Sequence, residues 1–276
     1  MRLADHYAGL LIDLDGVVWR NHQFLPGAAE TVRTLLTEGM PLAFVTNNPR
    51  LSPAEQAAIL RDGGVEIDDG KVVTAGSTLF EFAREKFGPA PNALVVGTDS
   101  FHAQAASAGI VEVAGPDRAG PDGASPATGS GTAAEVVLVS GHETFDYAEL
   151  RAASMAARDG AFLAATGRDP IMPMPDGLWP GTGAILAAIE TASGKTAVTT
   201  GKPEPAIFEA ALRAIGSPGR VAMIGDQLSS DIAGAQAAGL EGILVEAGTD
   251  PGGSGSDRET TPDHRIDDLA GLLRPA

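Results

Sequence analysis

Asp13 and Asp15 stand two residues apart at the end of the apolar run Leu10-Leu11-Ile12-Asp13-Leu14-Asp15-Gly16-Val17-Val18. Residues i and i+2 of a strand point to the same side, so both carboxylates would face one site if the strand continued. Gly16 follows at once and permits the backbone angles of a tight turn. Three later stretches add polar groups in similar settings. Thr46-Asn47-Asn48-Pro49 follows the apolar Pro41-Leu42-Ala43-Phe44-Val45, and Lys202 sits in Gly201-Lys202-Pro203. Asp226 and Asp231 lie in Gly225-Asp226-Gln227-Leu228-Ser229-Ser230-Asp231, just after Val221-Ala222-Met223-Ile224.

Carboxylates converging on one cleft repel each other unless a cation sits between them. Oxygen donors with few nitrogen or sulfur partners favour a hard ion such as Mg2+. Such an ion can hold a phosphate oxygen while an aspartate attacks phosphorus. The Thr46 hydroxyl and the Asn47 amide could hydrogen-bond phosphoryl oxygens, and Lys202 would supply positive charge where negative charge gathers. Lysine occurs only at positions 71, 86, 195 and 202, so one in such a context stands out. Each group also has an ordinary reading when taken alone. Asp226 could be a turn acid, Asp231 a helix cap, Thr46-Asn47-Asn48-Pro49 a plain turn and Lys202 a solvated side chain. None of these readings explains why all four recur in order at strand and helix edges.

The elements that must hold these residues alternate between strand and helix, which predicts an α/β fold with a parallel sheet. In such sheets ligands bind outside the carboxyl ends of the strands, where these polar groups fall. Strands are expected at 41–45, 93–97, 136–140, 161–165, 221–224 and 242–245. Helices are expected at 28–37, 147–160, 183–191, 205–215 and 232–238, with another starting at Ser52-Pro53-Ala54-Glu55. The pattern restarts between Thr78 and Trp179, as a second domain inserted in the first would. The Gly/Pro/Ala/Ser-rich tract between Glu112 and Glu135 cannot bury much apolar area and reads as an exposed loop.

Composition narrows the partners. With 276 residues, 43% hydrophobic and 20% charged, the chain reads as an ordinary globular protein. A formal charge of -17 argues against a general nucleic-acid binder and against anionic membranes. It does not exclude a small phosphorylated metabolite, because a divalent cation can reverse the field inside one cleft. The chain has no cysteine, hence no disulfide, thiol nucleophile or cysteine-held zinc. No signal core or run of roughly 20 apolar residues is present, so the expected location is the cytoplasm.

The four stretches resemble the four motifs of the haloacid-dehalogenase superfamily. Thr46-Asn47-Asn48, followed by a long insertion before the lysine, is similar to the NagD-like branch of subfamily IIA, which contains 4-nitrophenylphosphatases. Phe162-Leu163-Ala164-Ala165-Thr166-Gly167-Arg168-Asp169 and Pro180-Gly181-Thr182-Gly183 match that branch too. The resemblance implies a Rossmann-like parallel-sheet core at 1–77 and 180–276, with an inserted α/β cap at 78–179. It implies a phosphatase acting on a sugar, glycerol, glycolate or nucleotide phosphate. Asp13 would be the nucleophile, forming an aspartyl-phosphate, and Asp15 the general acid and base. Mg2+ would be held by the Asp13 carboxylate, the Asp15 backbone carbonyl and Asp226, with Gly16 and Asp231 supporting the site. Thr46, Asn47 and Lys202 would grip the phosphate. By analogy with the branch, a homodimer through the cap is also expected.

Three features depart from the branch pattern, and all lie in the cap. Thr166-Gly167-Arg168-Asp169 stands where Thr-Asn-x-Asp is usual, Gly141-His142-Glu143 stands where Gly-x-Asp is common, and the Ala114–Thr132 loop is long. They bear on the substrate rather than on the phosphoryl chemistry. His142, Arg168, Met172 and Met174 are the candidates for substrate contact, and Trp179 reads as hinge packing. Competing readings are a phosphomutase of the same superfamily, a true dehalogenase, a phospho-acceptor signalling module, and a binding protein on a retired catalytic scaffold. Asp15 disfavours the dehalogenase, since attack on carbon needs no such acid. Length disfavours the signalling module, and the complete motif set disfavours the retired scaffold.

Overall fold

The computed structural model describes residues 1–114, 133–174, 177–246 and 260–275. Most of the Gly/Pro-rich tract expected as a loop (115–132), the segment 247–259 and residues 175–176 lie outside the described residues. The chain divides into two compact units, one comprising Met1–Thr46, Pro53–Thr74 and Lys202–Ala276, the other Asn47–Ser52 and Ala75–Gly201.

The first unit carries a six-stranded sheet in the order His264–Ile266, Glu241–Val245, Val221–Gly225, Gly9–Ile12, Leu42–Thr46, Val72–Thr74. Every neighbouring pair is parallel. From the central strand Gly9–Ile12 the chain first builds outward through Leu42–Thr46, and after the second unit it returns on the other side through Val221–Gly225. Such a reversal opens a crevice at the carboxyl ends of the strands.

Helices cover both faces, so the strands read as continuous apolar runs rather than alternating ones. Leu10, Ile12, Leu42, Phe44, Ala222 and Ile224 pack with Val32 and Leu35 of helix Ala28–Thr37 and with Ala57 and Leu60 of helix Pro53–Asp62. Helix Pro205–Ile215 lies against the Leu42–Thr46 and Val72–Thr74 strands. It opens with proline in its first turn and closes on Gly216 in the left-handed region, as fits a residue without Cβ.

The second unit is another three-layer structure. Its parallel sheet runs Val198–Thr199, Phe162–Ala165, Val136–Val139, Asn92–Val96, Val111–Glu112. Side chains alternate strictly between its two faces. Leu94, Val96, Val137, Val139, Leu163 and Ala165 meet helices Tyr147–Arg158 and Thr182–Ser193 on one face. Ala93, Val95, Val136, Leu138 and Ala164 meet helices Ala75–Phe87 and Asp99–Ser107 on the other. An antiparallel hairpin, Ile171–Met174 with Gly177–Pro180, completes it.

The first strand ends at Ile12, so the condition for both aspartates to face one side is not met. The second unit extends over 75–201 rather than 78–179. Helix Thr182–Ser193 joins it because Ile185, Leu186 and Ile189 are buried beside Val137 and Leu163, and Val198–Thr199 joins it by pairing with Phe162–Ala165. Residues 75–77 join it as the first turn of helix Ala75–Phe87. Since Leu186 is fully buried in that core, Leu186→Ala is expected to cost about 2–5 kcal/mol. Urea unfolding followed by circular dichroism tests this, and a loss under about 1 kcal/mol would remove the helix from the core.

Candidate active site

The site is assembled at the carboxyl ends of three adjacent strands of the first unit. Asp13 is the residue after strand Gly9–Ile12, and its N–H still donates to the Ile224 carbonyl at 2.9 Å. This bond extends the ladder by one step and fixes where its side chain begins. The chain then turns, with the N–H groups of Val18 and Trp19 donating to the Leu14 carbonyl at 2.9 and 3.0 Å, and Gly16 N–H donating to Trp19 O at 2.8 Å. The turn separates the two aspartates. Asp13 is buried and Asp15 is exposed. Gly16 has φ +86°, and a Cβ there would run into the Asp226 carboxylate. Only glycine satisfies both the angle and the space.

Lys202 is the hub. Its Nζ donates to Asp13 Oδ1 at 2.7 Å and to the Val45 carbonyl at 3.2 Å, and it pairs with Asp231 Oδ1 at 2.6 Å. The other Asp231 oxygen accepts from Gln227 N–H at 3.0 Å, so this carboxylate is held from both sides. Asp226 ends the neighbouring strand Val221–Gly225, and Thr46, buried at the end of Leu42–Thr46, completes the set on the first unit. Asp13, Lys202, Asp226 and Asp231 are all less than a tenth exposed.

Burial works against charge at Asp13, Lys202 and Asp226. It raises Asp13 well above the usual carboxylate range against the pull of Lys202, with Asp231 and Asp226 adding to the rise. Burial would lower Lys202, but the carboxylates of Asp13 and Asp231 more than offset it, so the ammonium is held above the ordinary lysine value. Asp226 is pushed up to about 7 by burial and then by Asp231, while Lys202 opposes. One ammonium thus faces three carboxylates, which leaves negative charge in excess, at Asp226 among others.

That imbalance is what a divalent cation would relieve. Asp13, Asp226 and Asp231 each offer a carboxylate oxygen within 4.8 Å of the others. Asp226 Oδ1 is buried without a hydrogen-bond partner, a costly state for an acceptor unless something else fills it. The donors are all oxygen, which suits a hard ion.

Other expected residues lie elsewhere. Asn47 follows Thr46 in the chain but belongs to the second unit. Arg168, read as a substrate contact, forks onto Glu190 at 3.0 and 2.7 Å and donates to the Ala197 carbonyl at 2.9 Å, tying helix Thr182–Ser193 to the following strand. His142 is buried, with Nδ1 3.1 Å from Thr144 Oγ1, Nε2 3.3 Å from Glu149 and its ring edge-on to Phe145. Met172 and Trp179 pair with each other across the hairpin, while the Met174 side chain lies outside the described residues. Arg20 was missed by the sequence reading. It stands exposed on the hairpin after the first turn, and its charge favours the ionised form of Asp226. The Val45 carbonyl also went unseen, because a backbone acceptor leaves no mark in residue type.

Comparison with known proteins agrees with this geometry. The haloacid dehalogenase-like hydrolase family matches residues 10–111, and a HAD-hydrolase-like family matches residues 199–272. Human chronophin is 37% identical, over 87% of this chain and 81% of its own length. The sugar-phosphatase AraL of Bacillus subtilis is 31% identical, over 98% of this chain and 93% of its own. The structure of 4-nitrophenylphosphatase from Thermotoga maritima superposes with a TM-score of 0.84 at 28% identity, covering 100% of this chain and 99% of that one. Glycerol phosphate phosphatase from Mycobacterium tuberculosis, in complex with magnesium, gives 0.81 at 30% identity, covering 99% and 78%.

The chain therefore belongs to the haloacid-dehalogenase superfamily, and within it to the NagD-like phosphatases of subfamily IIA. It is a phosphomonoester hydrolase.

The excess charge at Asp226 predicts a stability effect. A carboxyl raised from 3.8 to about 7 on folding stabilises the native state below its unfolded value, and that contribution is lost as pH rises from about 4 to about 7. Asp226→Asn removes the penalty. In chelator, the variant should melt above the wild type at pH 8, with the gap shrinking at pH 5. It should also lose most of the increase in melting temperature that a divalent cation gives the wild type. Calorimetry across pH, with and without cation, checks both. A variant that melts lower at pH 8 would contradict the charge assignment.

Proposed function

We propose that this chain is a magnesium-dependent phosphatase acting on a small phosphomonoester through an aspartyl-phosphate. The observation that carries this reading is the Lys202 ammonium, 2.7 Å from Asp13 and 2.6 Å from Asp231, buried beside the surplus carboxylate of Asp226. The Lys202 ammonium opposes the rise that burial imposes on Asp13 and so favours the carboxylate form that a nucleophile requires. The Asp13 carboxylate attacks phosphorus, and the ester oxygen departs with a proton from Asp15. The resulting Asp15 carboxylate takes a proton from water, which attacks the aspartyl-phosphate and releases inorganic phosphate, restoring Asp13. Asp15 suits this double role because it is exposed and can exchange protons with solvent. Lys202, the Thr46 hydroxyl and the Asn47 amide hold the phosphoryl oxygens.

Asp13, Asp226 and the Asp15 carbonyl would hold Mg2+, with Asp231 and Gly16 keeping those ligands in place. When bound there, the ion supplies positive charge to a phosphoryl oxygen and relieves repulsion among the carboxylates.

Relatives named as a sugar-phosphatase and a D-glycerol 3-phosphate phosphatase support the substrate class. A sugar, glycerol, glycolate or nucleotide phosphate is the range we assign. A cytoplasmic location, to which the cysteine-free composition is suited, and a homodimer through the cap belong to the same reading.

The test is phosphate release from 4-nitrophenyl phosphate and from alkyl phosphates, with magnesium and with chelator. Wild type should turn over only with the cation, and Asp13→Asn should lose on the order of 10^4-fold or more. Asp15→Asn separates the two half-reactions. Nitrophenolate leaves without a proton, so this variant should give one burst of nitrophenolate, stall, and carry phosphate on Asp13 after acid quench. Alkyl phosphates should give no burst. Steady turnover by purified Asp13→Asn would overturn the nucleophile assignment.

A further inference from the structure

The segment Asn47–Ser52 follows the Thr46 strand directly, yet it is built into the second unit, and its internal bonds show how. The Asn48 side chain accepts from Arg50 N–H at 3.0 Å, closing a tight turn around Pro49. The Pro49 carbonyl accepts from Gln104 Nε2 at 3.2 Å, on helix Asp99–Ser107. Arg50 forks onto Glu143 at 2.8 and 3.4 Å, and one of its terminal nitrogens lies 3.9 Å from Met172 Sδ. The Arg50 guanidinium holds Glu143 below the usual carboxylate range. At the other end of the segment, a Cβ on Gly201 would lie 2.8 Å from Asn47 Oδ1. The Asn47 amide is thereby packed against the residue that precedes Lys202.

A six-residue loop would ordinarily sample many conformations, and fixing it costs conformational entropy. Here three side chains remote in sequence from the phosphate motifs, Glu143, Gln104 and Met172, converge on the two residues that follow Asn47 and Asn48. Glu143 stands in Gly141-His142-Glu143, where the branch commonly has Gly-x-Asp, and its carboxylate is taken up by Arg50. We infer that Arg50, Glu143 and Gln104 are positioning residues. They pre-organise the 47–52 segment so that the Asn47 amide is presented in one orientation to a phosphoryl oxygen. The inference rests on the phosphatase reading for the role of Asn47, whereas the anchoring itself does not.

The experiment has two arms. Hydrogen exchange on the intact protein reads the anchoring without any substrate. Glu143→Gln and Arg50→Ala should each accelerate exchange of the 47–52 amides while leaving strand Phe162–Ala165 protected, and the swapped pair Arg50→Glu with Glu143→Arg should restore slow exchange. Unchanged exchange in both single variants would overturn the proposal whatever the activity.

The second arm is a mutant cycle on kcat/KM for an alkyl phosphate. Glu143→Gln should lower it about two- to fivefold, in line with a part-exposed ion pair, chiefly in the parameter that Asn47→Ala affects. In the Asn47→Ala background the same change should have no further effect, because its route is already gone. Effects that multiply would show that Glu143 acts independently of Asn47 and would refute the positioning role. Loss of magnesium-dependent turnover in wild type itself would count against the phosphatase reading instead, leaving the exchange arm to decide the anchoring.

Discussion

An ammonium ion taken out of water loses several kcal/mol of solvation, and it stays charged inside a protein only where carboxylates replace that water. Lys202 meets this condition through Asp13 and Asp231 and gives its third bond to the Val45 carbonyl. Asp13 follows one strand, Val45 lies in its neighbour and Asp231 in the helical turn Leu228–Ile232 after a third, so the ion cluster forms only when these strands have come together. The dependence runs in reverse as well. With Lys202 absent, three carboxylates would share one buried space with no buried cation among the described residues to oppose them. The first unit is therefore assembled around a cluster with negative charge in excess, and such a set of oxygen donors suits a divalent cation.

Rigid elements carry the groups that must not move. Asp13 and Thr46 sit at the ends of strands buried on both faces, and Asp226 follows a third such strand. Asp15, proposed as the acid and base, lies exposed instead on the turn that Gly16 permits. The second unit repeats the same layered logic on its own sheet. Its strict alternation of faces leaves polar work to loops at the strand ends, such as Gly141-His142-Glu143 and Thr166-Gly167-Arg168-Asp169. There Glu143 and Arg168, exposed enough to meet a substrate, are already committed to ion pairs with Arg50 and Glu190. Departures from the family pattern at these positions thus change internal scaffolding as well as the surface offered to a substrate.

How much could be read from residues alone varies with how local the cause is. Helices Ala28–Thr37 and Pro205–Ile215 and the strand near Val221 follow from apolar runs, proline and glycine, all of which act within a few residues. The short strand Val72–Thr74 and helix Ala75–Phe87 were not marked, because glycine and threonine at their junction mimic a loop and only packing overrides that preference. The boundary of the second unit was misplaced for a similar reason. Helix Thr182–Ser193 is apolar on the face it buries, but no property of the helix says which of two sheets receives that face.

By itself the sequence determined the chemistry: the residue types, their order, and their recurrence at strand ends, which sufficed to point to phosphoryl transfer. It determined the α/β class too, since periodicity and turn residues are local properties of the chain. The tertiary structure alone decided which aspartate is buried and which is exposed, because the first strand stops at Ile12 and the turn parts two residues that an extended strand would have aligned. It alone gathered Asp13, Lys202, Asp226 and Asp231 into one buried cluster, with Lys202 bonded to an aspartate 189 residues away in sequence. And it alone placed Arg50 on Glu143 and Arg168 on Glu190, since which acid an arginine meets is settled when the sheets close and not before.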